Sequence, residues 1–102
     1  MVTVLAMITA KPGLRDQVLA LFNANVPAVR AESGCIEYRA TIDATDAPAL
    51  QTRLGPDSIA VIEQWASMQA LEAHAQAPHV MAYRANTKDL LASRVIHVLS
   101  NA

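Results

Sequence analysis

The sequence predicts an α+β domain, a four-stranded antiparallel sheet with its helices on one face. Three observations carry that expectation. Apolar residues alternate with a period of two in four short stretches, residues 1–10, 35–42, 58–65 and 94–99. Between the first and second of these, and again between the third and fourth, they recur at helical spacing instead. Finally, 53 % hydrophobic against 17 % charged residues in 102 positions supplies one core and one domain, residues 1–102.

In the first strand Val2, Val4, Ala6 and Ile8 alternate with Thr3, Leu5, Met7 and Thr9. Lys11-Pro12-Gly13 then turns the chain into a helix whose apolar side is Leu14, Val18, Leu21, Phe22 and Val29. Pro27 lies within that pattern and is expected to kink or split the helix, because it removes a backbone donor. Glu32-Ser33-Gly34 closes it, with Gly34 available as a left-handed cap. The second strand sets Ile36, Tyr38, Ala40 and Ile42 on one face. Residues 43–57 are irregular, with a hairpin arm expected around residues 50–54. The third strand sets Ile59, Val61, Glu63 and Trp65 on one face. Ser67 is an N-cap for a short helix bearing Met68, Leu71, His74 and Ala75, and Pro78 opens the next, with Val80, Tyr83, Thr87, Leu90 and Leu91 in register. The last strand, residues 94–99, sets Val95, His97 and Leu99 on one face.

The order strand, helix, strand, strand, helices, strand is the split β-α-β, ferredoxin-like arrangement. Strands one and three are apolar on both faces, yet helices cover only one. The other face calls for a partner, so the chain is expected to form a homodimer, sheet against sheet.

A net charge of −1 from eight basic and nine acidic residues leaves no cationic footprint for nucleic acid or an acidic membrane. No apolar run approaches the roughly 20 residues of a membrane span. Cys35 is the single cysteine, which excludes an internal disulfide and, with no leader-like start, points to the cytoplasm. Gly13, Gly34 and Gly55 are too dispersed for a dinucleotide or ATP loop. His74 and His79 stand five apart, not at the spacing that puts two metal ligands on one helical face. Nothing beside Cys35 lowers its pKa visibly, so it reads as buried filler.

The remaining candidates gather on the third strand and the two helices after it. Glu63 is a carboxylate on an apolar strand face; it is either paired there, with an arginine as the candidate partner, or a general base lining a pocket. Trp65 is core or an aromatic wall of a ligand cavity. His74, on the apolar side of its helix, is a hydrogen-bonded core histidine or the group that moves protons near neutrality. Tyr38, Tyr83 and Arg84 add two hydroxyls and a positive charge, unless Arg84 is merely solvated.

These residues resemble a known family. Glu32-Ser33-Gly34-Cys35-Ile36-Glu37-Tyr38, Ile62-Glu63-Gln64-Trp65, and Leu71-Glu72-Ala73-His74 followed by Pro78-His79 resemble three ordered motifs of the antibiotic biosynthesis monooxygenase domain, and Lys11-Pro12-Gly13 fits its first turn. The look is nearest to the bacterial quinol monooxygenases. The resemblance implies a dimeric α+β barrel and cofactor-independent oxidation of a small quinol-like or polyphenolic aromatic, with dioxygen as co-substrate and no metal. His74 would then be base or hydrogen-bond donor, with Glu63 as a second proton-handling group. Arg84 would stabilise an anion, and Trp65, Tyr83 and Tyr38 would hold the ring. Haem-degrading relatives carry an Asn on strand one, which this chain lacks. Two other readings are an isomerase or lyase acting on a phosphorylated signalling diketone, with Arg39, Arg53 and Arg84 as the few phosphate donors, and a non-catalytic ligand-binding dimer.

Overall fold

The structure is a computed structural model that describes all 102 residues. Its elements run β1 (Val2–Ala10), α1 (Arg15–Arg30), β2 (Cys35–Thr41), β3 (Ser58–Trp65), α2 (Met68–Ala75), α3 (Pro78–Thr87), a 3-10 turn (Lys88–Leu90) and β4 (Leu91–Leu99). One antiparallel sheet has the order β2-β3-β1-β4, the ferredoxin-like topology.

Strand register decides what faces the helices. Tyr38, Glu63, Val4 and Val98 form one inward row across all four strands, and Ala40, Val61, Ala6 and Ile96 form the next. Ile59, Ile8 and Arg94 form a third. The opposite face carries Ile62, Leu5 and His97 in one row and Ala60, Met7 and Val95 in another. Val18, Phe22 and Val29 of α1 and Val80 of α3 close the core over the inward rows. No helix lies on β4, where Val95, Ile96, Val98 and Leu99 stay exposed.

Several expectations are corrected. Pro27 does not split α1: it is exposed in the last full turn, where it removes one bond from a helix already ending, and its own carbonyl receives the Ala31 N–H. A register shift between Cys35 and Glu37 throws Ile36 out of the Tyr38 face and leaves it exposed. Residues 50–54 form no strand. Their loop is tied at its base instead, because the Asp43 carboxylate accepts the Leu54 and Gly55 N–H groups at 2.9 and 3.0 Å. Those bonds to the charged form hold Asp43 below the usual carboxylate value. Leu90 and Leu91 leave the helix register, and β4 begins at Leu91, three residues earlier than expected. The helix α1 is capped at Ala31, so Gly34 serves the turn into β2. Its φ of +83° and the 2.6 Å between a built Cβ and Ala70 Cβ leave room for glycine alone, which seats the start of β2 against α2.

Candidate functional site

A cavity of about 260 Å³ lies between the inward sheet face and the helices. It is at or just below the low end of the roughly 300–1,000 Å³ that holds drug-sized ligands, so it suits one or two fused rings. Val4, Ala6, Ile8, Phe22, Val61, Val80, Ile96 and Val98 make most of its wall. Tyr38, Glu63, Glu72, His74, Tyr83, Arg84 and Arg94 supply its polar groups.

His74 is held from two sides. Its helix starts from Ser67, whose Oγ accepts the Ala70 N–H at 3.1 Å, and ends at Ala75. That places the buried imidazole beside β3 with its ring 4.5 Å from Trp65 and 5.5 Å from Tyr38. His74 Nδ1 meets the Glu32 carboxylate at 2.9 and 3.2 Å, while His79 Nε2 reaches the same carboxylate at 2.8 Å. A carboxylate only accepts, so His74 Nδ1 carries a proton and donates it to Glu32, and Nε2 is the ring nitrogen turned toward Glu63. That Nε2 lies 4.0 Å from Glu63 Oε1, and the Trp65 indole N–H donates to the same oxygen at 3.0 Å. A line of groups therefore runs His79, Glu32, His74, Glu63, Trp65.

Burial lifts the Glu63 carboxyl above its ordinary 4.5, against the opposing pull of Trp65, His74, Arg94 and Arg84. A raised value in the folded state means a stability contribution that is complete below the unfolded value and lost as pH rises through the folded one. Glu63→Gln, which keeps the shape and the acceptor for Trp65 without the charge, is expected to melt above the wild type at about pH 8. The gap should close near about pH 4, where both states hold the proton. Thermal melts across that range check it, and a gap that widens on acidification would contradict burial as the controlling cause.

Desolvation also raises the Tyr38 and Tyr83 hydroxyls, so both stay protonated donors. Phe22 stacks on Tyr38 at 5.0 Å and meets Tyr83 edge-on at 6.0 Å. The Cys35 thiol is raised by burial and by Glu32 and Glu63, which disfavours a thiolate nucleophile.

Of the residues singled out in the sequence, Glu63, His74, Tyr38, Tyr83 and Arg84 meet at this cavity. Trp65 does not line it: fully buried, it packs behind His74. Glu63 has no arginine within ion-pair distance; its bond is to Trp65. Arg39 pairs with Glu37 on β2, and Arg53 is exposed in the 43–57 loop, so neither joins Arg84 in a phosphate cradle. Glu32, His79 and Arg94 carry no site role in the sequence reading. Glu32 belongs to the Glu-Ser-Gly-Cys motif, and Arg94 breaks an apolar strand face as Glu63 does, so a signal existed for both. No group of three or more His, Cys, Asp or Glu side chains is arranged to hold a metal ion.

The family model described as antibiotic biosynthesis monooxygenase matches residues 1–86. YgiN of Escherichia coli K12, named a probable quinol monooxygenase, is 41 % identical over 101 residues, covering 97 % of this chain and 96 % of its own. The structure of Rv0793 from Mycobacterium tuberculosis is similar with a TM-score of 0.81 at 28 % identity, covering 99 % of this chain and 94 % of that one. PA3566 from Pseudomonas aeruginosa also gives 0.81, at 30 % identity over 99 % of this chain and 93 % of its own. Motifs, topology and whole-chain similarity agree: the chain belongs to the antibiotic biosynthesis monooxygenase family and is an enzyme of the monooxygenase type.

Proposed function

We propose that the protein oxidises a small quinol-like or polyphenolic aromatic with dioxygen and without a resident cofactor. The observation that carries this reading is His74, buried at the wall of a small apolar cavity with Nδ1 anchored on Glu32 and Nε2 turned toward Glu63. The name given to YgiN supports the quinol class. In this reading the phenolic hydroxyl gives its proton to His74 Nε2, and Glu32 stabilises the imidazolium that forms. The electron-rich quinolate passes an electron to dioxygen; the two radicals join through a C–O bond at a ring C–H, the peroxide takes the proton back from His74, and water leaves with that proton and the ring hydrogen. Quinol plus dioxygen gives hydroxyquinone plus water, with both quinol hydrogens accounted for. The protein's share is to orient the ring, favour the anion and exclude bulk water. Tyr38 and Tyr83 flank the ring, and Trp65 holds Glu63 and backs His74.

Oxygen uptake by chelator-treated protein with menadiol, measured against the protein-free autoxidation rate, tests this. Uptake clearly above the blank is expected; uptake equal to the blank overturns the oxygenase reading and leaves an isomerase or a binding dimer.

We further propose a homodimer through the outer sheet face, with the single thiol kept reduced in the cytoplasm. Leu5, Met7, Ile62, Val95 and Leu99 give that face an apolar surface that nothing in the chain covers. Sedimentation at micromolar concentration should give twice the chain mass, and Met7→Lys in the middle of the face should give the single mass. A monomeric wild type would overturn it. No helix is long and apolar enough to cross a membrane.

A further inference from the structure

A second group of polar side chains lines the cavity from α3 and from the start of β4. Along β1, Val4 stands across from Glu63 and Ile8 across from Arg94, four residues and about 13 Å further on. Arg84 of α3 and Arg94 of β4 line the cavity there and also line an adjoining cleft of about 330 Å³ with Lys88. The cleft has no carboxylate in its wall. Neither guanidinium has an acidic oxygen within 4.0 Å; Arg84 repels Arg94, and the Glu63 carboxylate acts on both only from further off. Partial desolvation of an otherwise exposed side chain and Arg84 together pull Arg94 below the usual arginine value, against Tyr83, Glu63 and Tyr38. Near Arg94 the Tyr83 hydroxyl is buried with no hydrogen-bond partner within 3.5 Å; the nearest polar side chain is Thr87, whose hydroxyl donates to the Tyr83 carbonyl at 2.9 Å. Arg94 lies beyond residues 1–86, the segment the family model matches.

Two adjacent cations and an idle buried donor are an arrangement that an anion completes. We infer that Arg84, Arg94 and Tyr83 form a carboxylate-binding subsite, so that the preferred ligand is a phenol or quinol carrying a carboxylate at the end of the ring system opposite the reacting hydroxyl. This rests on the reading of the cavity as the substrate site and names the substrate class more closely. A planar carboxylate matches the guanidinium fork, and charge-assisted bonds are the stronger kind. The apolar middle of the cavity takes the rings, and His74 takes the hydroxyl.

The test is calorimetric binding of 6-hydroxy-2-naphthoate, its methyl ester and 2-naphthol to the wild type and to Arg94→Gln and Arg84→Gln. None of these needs oxygen turnover. The acid should bind about tenfold or more tightly than the ester, the worth of one charge-assisted bond. That advantage should shrink in both variants while ester and naphthol affinities hold. Both arginines are exposed, so the folded state survives the change. Raising salt on the wild type should weaken the acid alone, a check that needs no variant. Equal affinity for acid and ester, including no measurable binding of either, overturns the subsite. So does an acid preference that both variants keep, and so does tighter binding of 2-naphthyl phosphate than of the acid. Acid-selective binding with no quinol-dependent oxygen uptake would instead remove the oxygenase reading and leave the subsite standing.

Discussion

Replacing His74 by alanine is expected to lower menadiol-dependent oxygen uptake, above the autoxidation blank, by about a hundredfold or more, the usual yield of a positioned general base. The imidazole is the one cavity group whose Nδ1 is anchored on a carboxylate while its other nitrogen faces Glu63 at 4.0 Å. Alanine also leaves Glu32 and Glu63 facing a void, so a loss of stability could masquerade as a loss of chemistry. His74→Gln separates the two. Its amide can still donate to Glu32 and fill most of the space, but it cannot take up a proton. It should melt near the wild type and be as inactive as the alanine variant. Full uptake by a folded His74→Gln would remove histidine as the base and shift the role to Glu63.

The largest effect on the fold belongs to Trp65. Trp65→Ala should cost about 3–5 kcal/mol, measured by urea unfolding, because a fully buried indole is deleted and a cavity remains. A domain's whole stability is about 5–15 kcal/mol, so this variant stands near the edge of folding. Trp65→Phe keeps most of the ring and removes the N–H that Glu63 Oε1 accepts at 3.0 Å. Without that bond the Glu63 carboxyl should rise further and its ionised form should be lost at a higher pH than in the wild type. A Trp65→Ala cost under about 1 kcal/mol would show that the neighbours collapse onto the vacated site.

What could be read from the chain and what could not divide along physical lines. β1 and β3 announce themselves because they are central strands, apolar on both faces and buried most deeply on the inward one. β4 was legible as a strand but not in its start: Leu90 and Leu91 continue a helical spacing by coincidence, and only the 3-10 turn shows where the chain changes direction. Ile36 misled because a bulge costs one residue of register, and a period-two pattern cannot reveal a single insertion. Glu63, His74, Tyr38, Tyr83 and Arg84 were visible as polar groups set on apolar faces. Glu32 stands out only as a member of its motif, without a role, since its contact with His74 depends on a turn that swings it to α2, 42 residues away in the chain. The site's anchoring is long-range, whereas sequence periodicity is local.

The sheet order has a consequence for how the molecule is made. β1 occupies an inner position and takes β4 as its neighbour, pairing Thr3 with Leu99, so its second flank is filled by the element most distant in sequence. Closing so long a loop is entropically slow, and until it closes β1 presents a bare edge with apolar side chains on both sides. Unpaired edges of that kind recruit other chains. Refolding is therefore a contest between β4 docking, which does not depend on concentration, and strand-on-strand association between unfinished sheets, which rises with it.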